Sequence, residues 1–121
     1  MLLVLIGCTS QLFVDYDQVG CEEYDFDNPG EEEIVFEQVG ADIIISHTND
    51  LQTCDSVFEP ELSSDGWILE VRERWSEGTS DCETCLTPQV IISDAPSREV
   101  EVRWYIDDKS NPLGVVEVQA D

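Results

Sequence analysis

The sequence predicts an all-β fold, a small antiparallel β-sandwich of about seven short strands. Two observations carry this prediction. Apolar and polar residues alternate over short runs that are separated by turn residues, as is typical of half-buried strands in sandwiches, and no stretch keeps a helical period over three turns. At 121 residues the chain has room for one domain, and its 41% hydrophobic residues can supply a core.

The strands are predicted from residue 34 onward, and we assign residues 34–121 to the sandwich domain. Val100–Ile106 alternates most clearly, whereas Ile43–Ile45 is a continuous apolar run that suits a strand covered on both faces. Pro60 interrupts its segment, which predicts an edge or bulged strand, and Ser64–Gly66 predicts a hairpin. The predicted strands are 34–39, 42–48, 57–62, 67–74, 89–93, 100–106 and 115–118.

Residues 8–33 are predicted to be an acidic tether in front of the sandwich. They are rich in carboxylates and poor in regular pattern, with one edge strand at most, around Leu12–Val14. This segment is therefore expected to lie outside the core.

The whole chain is strongly acidic. It has 28 Asp and Glu against 5 Lys and Arg, for a net charge of −23. Such a surface repels nucleic acid and anionic lipid headgroups, so any partner is expected to be cationic, neutral or a metal ion. The alternative explanation of the acidity is adaptation to a salty environment.

The apolar start of the chain ends in Leu5-Ile6-Gly7-Cys8. This motif resembles the lipobox of bacterial lipoproteins. The resemblance implies that residues 1–7 are a signal segment, that Cys8 carries the acyl chains, and that the protein lies in the bacterial cell envelope. Thr9 favours the outer membrane or cell surface. Because no Lys or Arg precedes the apolar run, the signal segment would be truncated, and the alternative is a buried first strand.

Four further cysteines, Cys21, Cys54, Cys82 and Cys85, are an even number in what would be an oxidising compartment. Two disulfides are therefore predicted, and we favour a bridge from Cys54 to Cys82 or Cys85, with Cys21 bound to the cysteine left over. The alternatives are one disulfide with free thiols, or a zinc site of Cys54, Cys82 and Cys85 with Cys21 or His47.

Two acidic motifs, ten residues apart, are candidates for calcium binding. Asp15 and Asp17, and again Asp25 and Asp27, hold the first and third positions of a calcium loop, each pair followed by glycine at the sixth. The fifth and twelfth positions lack ligands. Calcium is therefore an alternative to a plain solvated tether with no cofactor.

His47 is the single histidine, and we expect it to be a hydrogen-bonded residue at a strand end. No Ser or Cys nucleophile with an orienting acid can be assigned to it, and no carboxylate pair stands out. We therefore expect no catalysis. If Trp75 and Tyr105 lie together on the surface, ligand or carbohydrate binding is favoured.

The order of features over residues 43–106 is similar to that of small cysteine-containing bacterial lipoproteins with an immunoglobulin-like sandwich. These features are His47–Asn49 ahead of Cys54, the strand Gly66–Val71, the cysteines of Cys82–Cys85, and the strand 100–105. The resemblance implies a fold and an envelope location, and it implies no activity. The expected function is a structural or binding module exposed at the surface or in the periplasm, with a calcium- or zinc-binding accessory protein as the alternative.

Overall fold

A computed structural model describes residues 2–6, 11–21, 27, 30–76, 78–79 and 81–120. These residues contain β-strands and no helix, and the strands form two sheets in a sandwich, so the predicted fold class is confirmed. Within the same ranges, no helix has the length and apolar character needed to cross a membrane. The strands are β1 (Leu2–Ile6), β2 (Gln11–Gly20), β3 (Ile34–Val39), β4 (Asp42–His47), β5 (Asp50–Thr53), β6 (Glu61–Asp65), β7 (Ile68–Glu73), β8 (Glu83–Ser93), β9 (Val100–Ile106) and β10 (Gly114–Val118).

The first sheet is organised around β8, its longest strand. Its order is β1-β2-β8-β4-β3, and β5 pairs with β8 on the same side as β4. The second sheet has the order β10-β9-β7-β6. All pairs are antiparallel except β7 with β9. The chain crosses to the first sheet as β8 between these two strands, and such a crossover lets β9 return parallel to β7.

The core lies between the two sheets and surrounds one tryptophan. Trp104 is fully buried, and the ring of Phe58 stacks on it with centroids 6.1 Å apart and planes 6° from parallel. The alternation predicted over residues 100–106 is confirmed, because Val100, Val102 and Trp104 are buried. The other buried apolar residues are Leu12, Val14, Ile43, Ile45, Leu69, Val71, Cys85, Val90, Ile92, Val118 and Ala120.

The predicted hairpin at Ser64–Gly66 joins β6 to β7. Asp65 pairs with Ile68, so the loop has two residues, and Gly66 takes the first position with a φ of 62°. A two-residue loop with glycine at this position suits the right-handed twist of the flanking strands. Local turn chemistry therefore fixes the register of this pair.

Residues 11–20 differ from the predicted tether of 8–33, because they form β2 inside the first sheet. Leu12 and Val14 point into the core and are 1% and 0% exposed. Asp15 and Asp17 occupy the alternate, outward face, where their charges stay in contact with water. The strand thus places both aspartates on the outward face, beside Phe13 and Val19, and Leu12 and Val14 on the inward face, and its overall composition hides this division.

Three further differences concern strand boundaries. Residues 2–6 form β1, which pairs with β2 at the edge of the sheet, as the alternative interpretation of the apolar start expected. The strand predicted over 57–62 begins only at Glu61, directly after Pro60, and Phe58 makes an isolated bridge to Trp75. β5 was not predicted because its four residues are mostly polar. The first half of β8 was not predicted because it is mostly polar and contains Pro88.

Candidate functional site

A β-bulge between β4 and β5 in the first sheet positions the residues of the site. Between the pairs Ser46–Gln89 and Asp50–Leu86, three residues of one strand face two of β8. Pro88 is one of those two, and it has no N–H to donate to a ladder. The pairing is therefore interrupted here and leaves an extra residue between β4 and β5, which re-aims the side chains beside it.

The extra residue of the bulge brings His47 and Asp50 together. Asn49 adopts a left-handed conformation with a φ of 59°, which asparagine tolerates better than most residues, and its side-chain amide donates a 2.7 Å hydrogen bond to the carbonyl oxygen of Glu31. His47 and Asp50 lie on its two sides, with Nδ1 and Oδ2 3.4 Å apart. Both residues are buried, at 1% and 6% exposed.

Glu32 is held beside the bulge by the backbone of its neighbours. The amide of Thr48 donates a 2.9 Å hydrogen bond to the carbonyl oxygen of Glu33. As a result Oε1 of Glu32 lies 3.1 Å from Nε2 of His47, although the side chain of Glu32 remains 55% exposed. The second imidazole nitrogen therefore faces a carboxylate that is open to solvent.

Glu73 supplies a third carboxylate, and this one is in the core. It continues the inward face of β7 after Leu69 and Val71, and it is 3% exposed. Nδ1 of His47 is 2.6 Å from its Oε1, and the indoles of Trp104 and Trp75 donate hydrogen bonds of 2.9 and 2.7 Å to Oε1 and Oε2. Three donors thus satisfy the buried carboxylate.

Asp50 is less well satisfied. Gln52 donates a 3.1 Å hydrogen bond to its Oδ1. Among the described residues its Oδ2 has no hydrogen-bond partner, because the nearby Nδ1–H of His47 is directed at Glu73. A buried acceptor left in this state is rare in folded proteins and calls for an explanation.

The cluster shifts the pKa values of its members. Burial by itself lowers the pKa of His47, but its close polar contacts with Asp50 and Glu73 and their negative charges outweigh burial and raise it to about 10. Burial raises the pKa of Asp50. Burial also favours the neutral form of Glu73, yet hydrogen bonds, first of all from His47, bring the pKa of Glu73 below its usual value. His47 therefore carries a positive charge at neutral pH when no metal ion occupies the cluster.

A cavity of about 170 Å³ opens onto the cluster. Its lining includes Glu32, His47, Asp50 and Glu73, together with Trp75 and Lys109, the single lysine of the chain. One ligand atom from each of Glu32, His47 and Asp50 lies within 4.8 Å of the others. Among the described residues, these three are the group of His, Cys, Asp or Glu side chains whose ligand atoms are close enough to bind one ion.

The four cysteines after Cys8 form two disulfides, Cys54–Cys82 and Cys21–Cys85, with Cα atoms 5.4 and 5.5 Å apart. This is one of the two arrangements favoured from the sequence. Each bridge continues a ladder of β8 by one pair, on either side of that strand. The zinc site predicted from these cysteines is not formed, because sulfur in a disulfide is not available as a thiolate ligand.

The calcium candidates do not assemble into loops in the described residues. Asp15 and Asp17 lie on the extended strand β2, which cannot wrap successive ligands around one ion. Asp27 is exposed. Asp25 and Cys8 lie outside the described residues.

Trp75 and Tyr105 line different cavities, so the condition for a shared aromatic binding face is not met. Trp75 belongs to the His47 cluster, and Tyr105 lies under the guanidinium of Arg72, 4.8 Å from its ring centroid. Sequence reasoning did not single out any of the three carboxylates of the cluster, Glu32, Asp50 and Glu73. The one available signal was Glu73, a carboxylate at an inward position of an alternating strand.

Comparison of the chain with protein-family models, with curated proteins and with solved structures found no match.

Proposed function

We propose that this protein is a non-catalytic binding module of the bacterial cell envelope, attached to the outer membrane or cell surface by a lipid on Cys8. The observation that carries the proposal is the pairing of the four later cysteines in two disulfides. Such bridges form and persist in oxidising compartments. Together with the lipobox-like Leu5–Cys8, they support export.

The described strands are compatible with removal of residues 1–7. β1 is at the edge of the first sheet and forms its ladder with β2. β2 in turn has eight pairs with β8, from Phe13 to Gly20. Loss of β1 would therefore leave β2 as an edge strand that keeps its place in the core.

The same geometry shortens the tether. β2 begins at Gln11, so the chain from Cys8 to the sandwich can reach at most about 10 Å. A domain with a net charge of −23 would then lie close to the headgroups. Because it repels anionic lipid and attracts cations, the proposed partner is a cationic or neutral molecule of the envelope or its surroundings.

The test is the intact mass of the membrane-extracted protein after alkylation without reduction. We expect a chain that begins at Cys8, carries acyl groups and contains no alkylated thiol. The control is Cys8→Ser, which should remain unlipidated and leave the membrane fraction while keeping both disulfides. An unlipidated wild-type chain, or one with free thiols at the other cysteines, would contradict the proposal.

A further inference from the structure

We propose that Glu32, His47 and Asp50 bind one divalent transition-metal ion, and that Glu73 is the positioning residue that orients His47. This inference concerns the sandwich itself and does not depend on the lipid anchor. It rests on the geometry of the cluster and on a buried oxygen of Asp50 that accepts no hydrogen bond among the described residues.

The donors are arranged around a shared space. A ligand atom from each of the three residues lies within 4.8 Å of the others, and the ~170 Å³ cavity gives access from solvent past Glu32. Nitrogen and carboxylate ligands bind zinc at about 2.0–2.2 Å, so neighbouring ligands of one ion are expected a little over 3 Å apart. The 3.1 Å between Nε2 of His47 and Oε1 of Glu32 fits this spacing.

Asp50 provides an independent indication of a ligand. The residue is more than nine-tenths buried and lines the cavity. Its Oδ2 accepts no hydrogen bond among the described residues, although it lies in an ion pair 3.4 Å from Nδ1 of His47. A buried acceptor without a hydrogen bond is destabilising. An ion in the cavity would accept this oxygen as a ligand and remove the penalty.

Glu73 prepares the imidazole for binding. An Nδ1–H that donates to a carboxylate fixes the ring and leaves Nε2 as the nitrogen that binds the metal after giving up its proton, and this arrangement is typical of histidine ligands. The 2.6 Å contact with Glu73 has this form. Glu73 is in turn fixed by the indoles of Trp75 and Trp104, so the ring of His47 has little freedom to rotate.

The donor set also selects the class of ion. Imidazole suits zinc, copper and nickel, whereas calcium takes six to eight oxygen ligands. One imidazole and two carboxylates are too few oxygens for calcium. The expected ion is therefore zinc or a similar divalent transition metal.

The test is a titration of the full chain, without a histidine tag, with its disulfides intact and after treatment with a chelator. ZnCl₂ is added, and binding is followed by calorimetry and by the fluorescence of the tryptophans that contact Glu73. We expect one Zn²⁺ per chain and no comparable response to Ca²⁺.

Glu32→Gln and Glu33→Gln form a matched pair of variants. Both remove one negative charge from adjacent exposed residues, so non-specific attraction of cations changes equally. Glu32→Gln should weaken Zn²⁺ binding about tenfold or more, while Glu33→Gln should not change it, and Glu73→Gln should cost about 10–100-fold. Because Glu32 is exposed, its replacement should leave the fold intact, and the loss of Zn²⁺ binding then reports on the site itself.

Absence of Zn²⁺ binding in the wild type would overturn the proposal. Equal binding by wild type and Glu32→Gln, or tighter binding of Ca²⁺ than of Zn²⁺, would overturn it as well.

Discussion

Replacement of Glu73 by alanine should destabilise the sandwich by about 3–5 kcal/mol. The substitution leaves two indole N–H groups and the imidazolium of His47 without their acceptor. A buried donor without a partner costs about 1–3 kcal/mol, and breaking a buried ion pair from one side costs about 3–5 kcal/mol. Asp50 stays 3.4 Å from His47 and offsets part of this loss, which places the total within the range for the ion pair. Domains of this size have about 5–15 kcal/mol in all.

Urea unfolding measures this effect directly, with chelator present so that metal binding does not contribute. The fluorescence of Trp75 and Trp104 reports the transition, because both indoles contact the mutated residue. The control is Glu70→Ala on the same strand, where the carboxylate faces outward at 4.0 Å from Arg103. A surface pair of this kind is worth about 1 kcal/mol at most, and the slope of the transition should stay constant in both variants.

A loss of less than about 1.5 kcal/mol in Glu73→Ala would refute the reasoning, as would a loss equal to that of Glu70→Ala. Either result would mean that the three donors find other acceptors, and that the carboxylate is not what satisfies this part of the core.

The remaining predictions concern the strand and the bridges that flank the site. Leu12→Ala should cost about 2–5 kcal/mol in chemical denaturation, because the side chain is 1% exposed; a change below about 0.5 kcal/mol is what a surface tether would show. Replacement of Cys21 and Cys85 by alanine opens a bridge of sequence separation 64, and replacement of Cys54 and Cys82 opens one of sequence separation 28. Chain entropy predicts that the free energy of unfolding falls by about 4.3 kcal/mol in the first variant and by about 3.6 kcal/mol in the second. A lower urea midpoint in the second variant than in the first would show that native packing outweighs loop length.

The fold class could be predicted because its signals are local. The alternation of Val100–Ile106 and the glycine turn at Gly66 each follow from a few consecutive residues, and the structure contains both. The parallel pairing of β7 with β9 has no local signal. It arises because β8 joins the other sheet, which depends on contacts between residues far apart in the sequence.

β2 shows how composition can hide a pattern. Its residues alternate between an apolar face, with Leu12 and Val14, and an outward face, with Asp15 and Asp17. The alternation has the period of two that defines a half-buried strand. Judged by its charge, the same segment has the composition of a tether. Period is the better guide here, because only one face of an edge or sandwich strand has to be apolar.

The cluster around His47 was out of reach of sequence reasoning because it joins three separated parts of the chain. Glu32 precedes β3, His47 and Asp50 flank the bulge, and Glu73 ends β7. The bulge depends on Pro88, which lies opposite in another strand. A single histidine and scattered carboxylates therefore gave no spacing to recognise.

Glu73 and Asp50 together separate a structural role of this cluster from a ligand-binding one. A structural network explains Glu73, whose two oxygens receive three hydrogen bonds and hold both tryptophans in place. It explains Asp50 only in part. Asp50 is also buried, and its Oδ2 lies 3.4 Å from Nδ1 of His47 but accepts no hydrogen bond among the described residues. The proposed ion accounts for both residues, because it binds this oxygen of Asp50 and uses the orientation that Glu73 gives to His47.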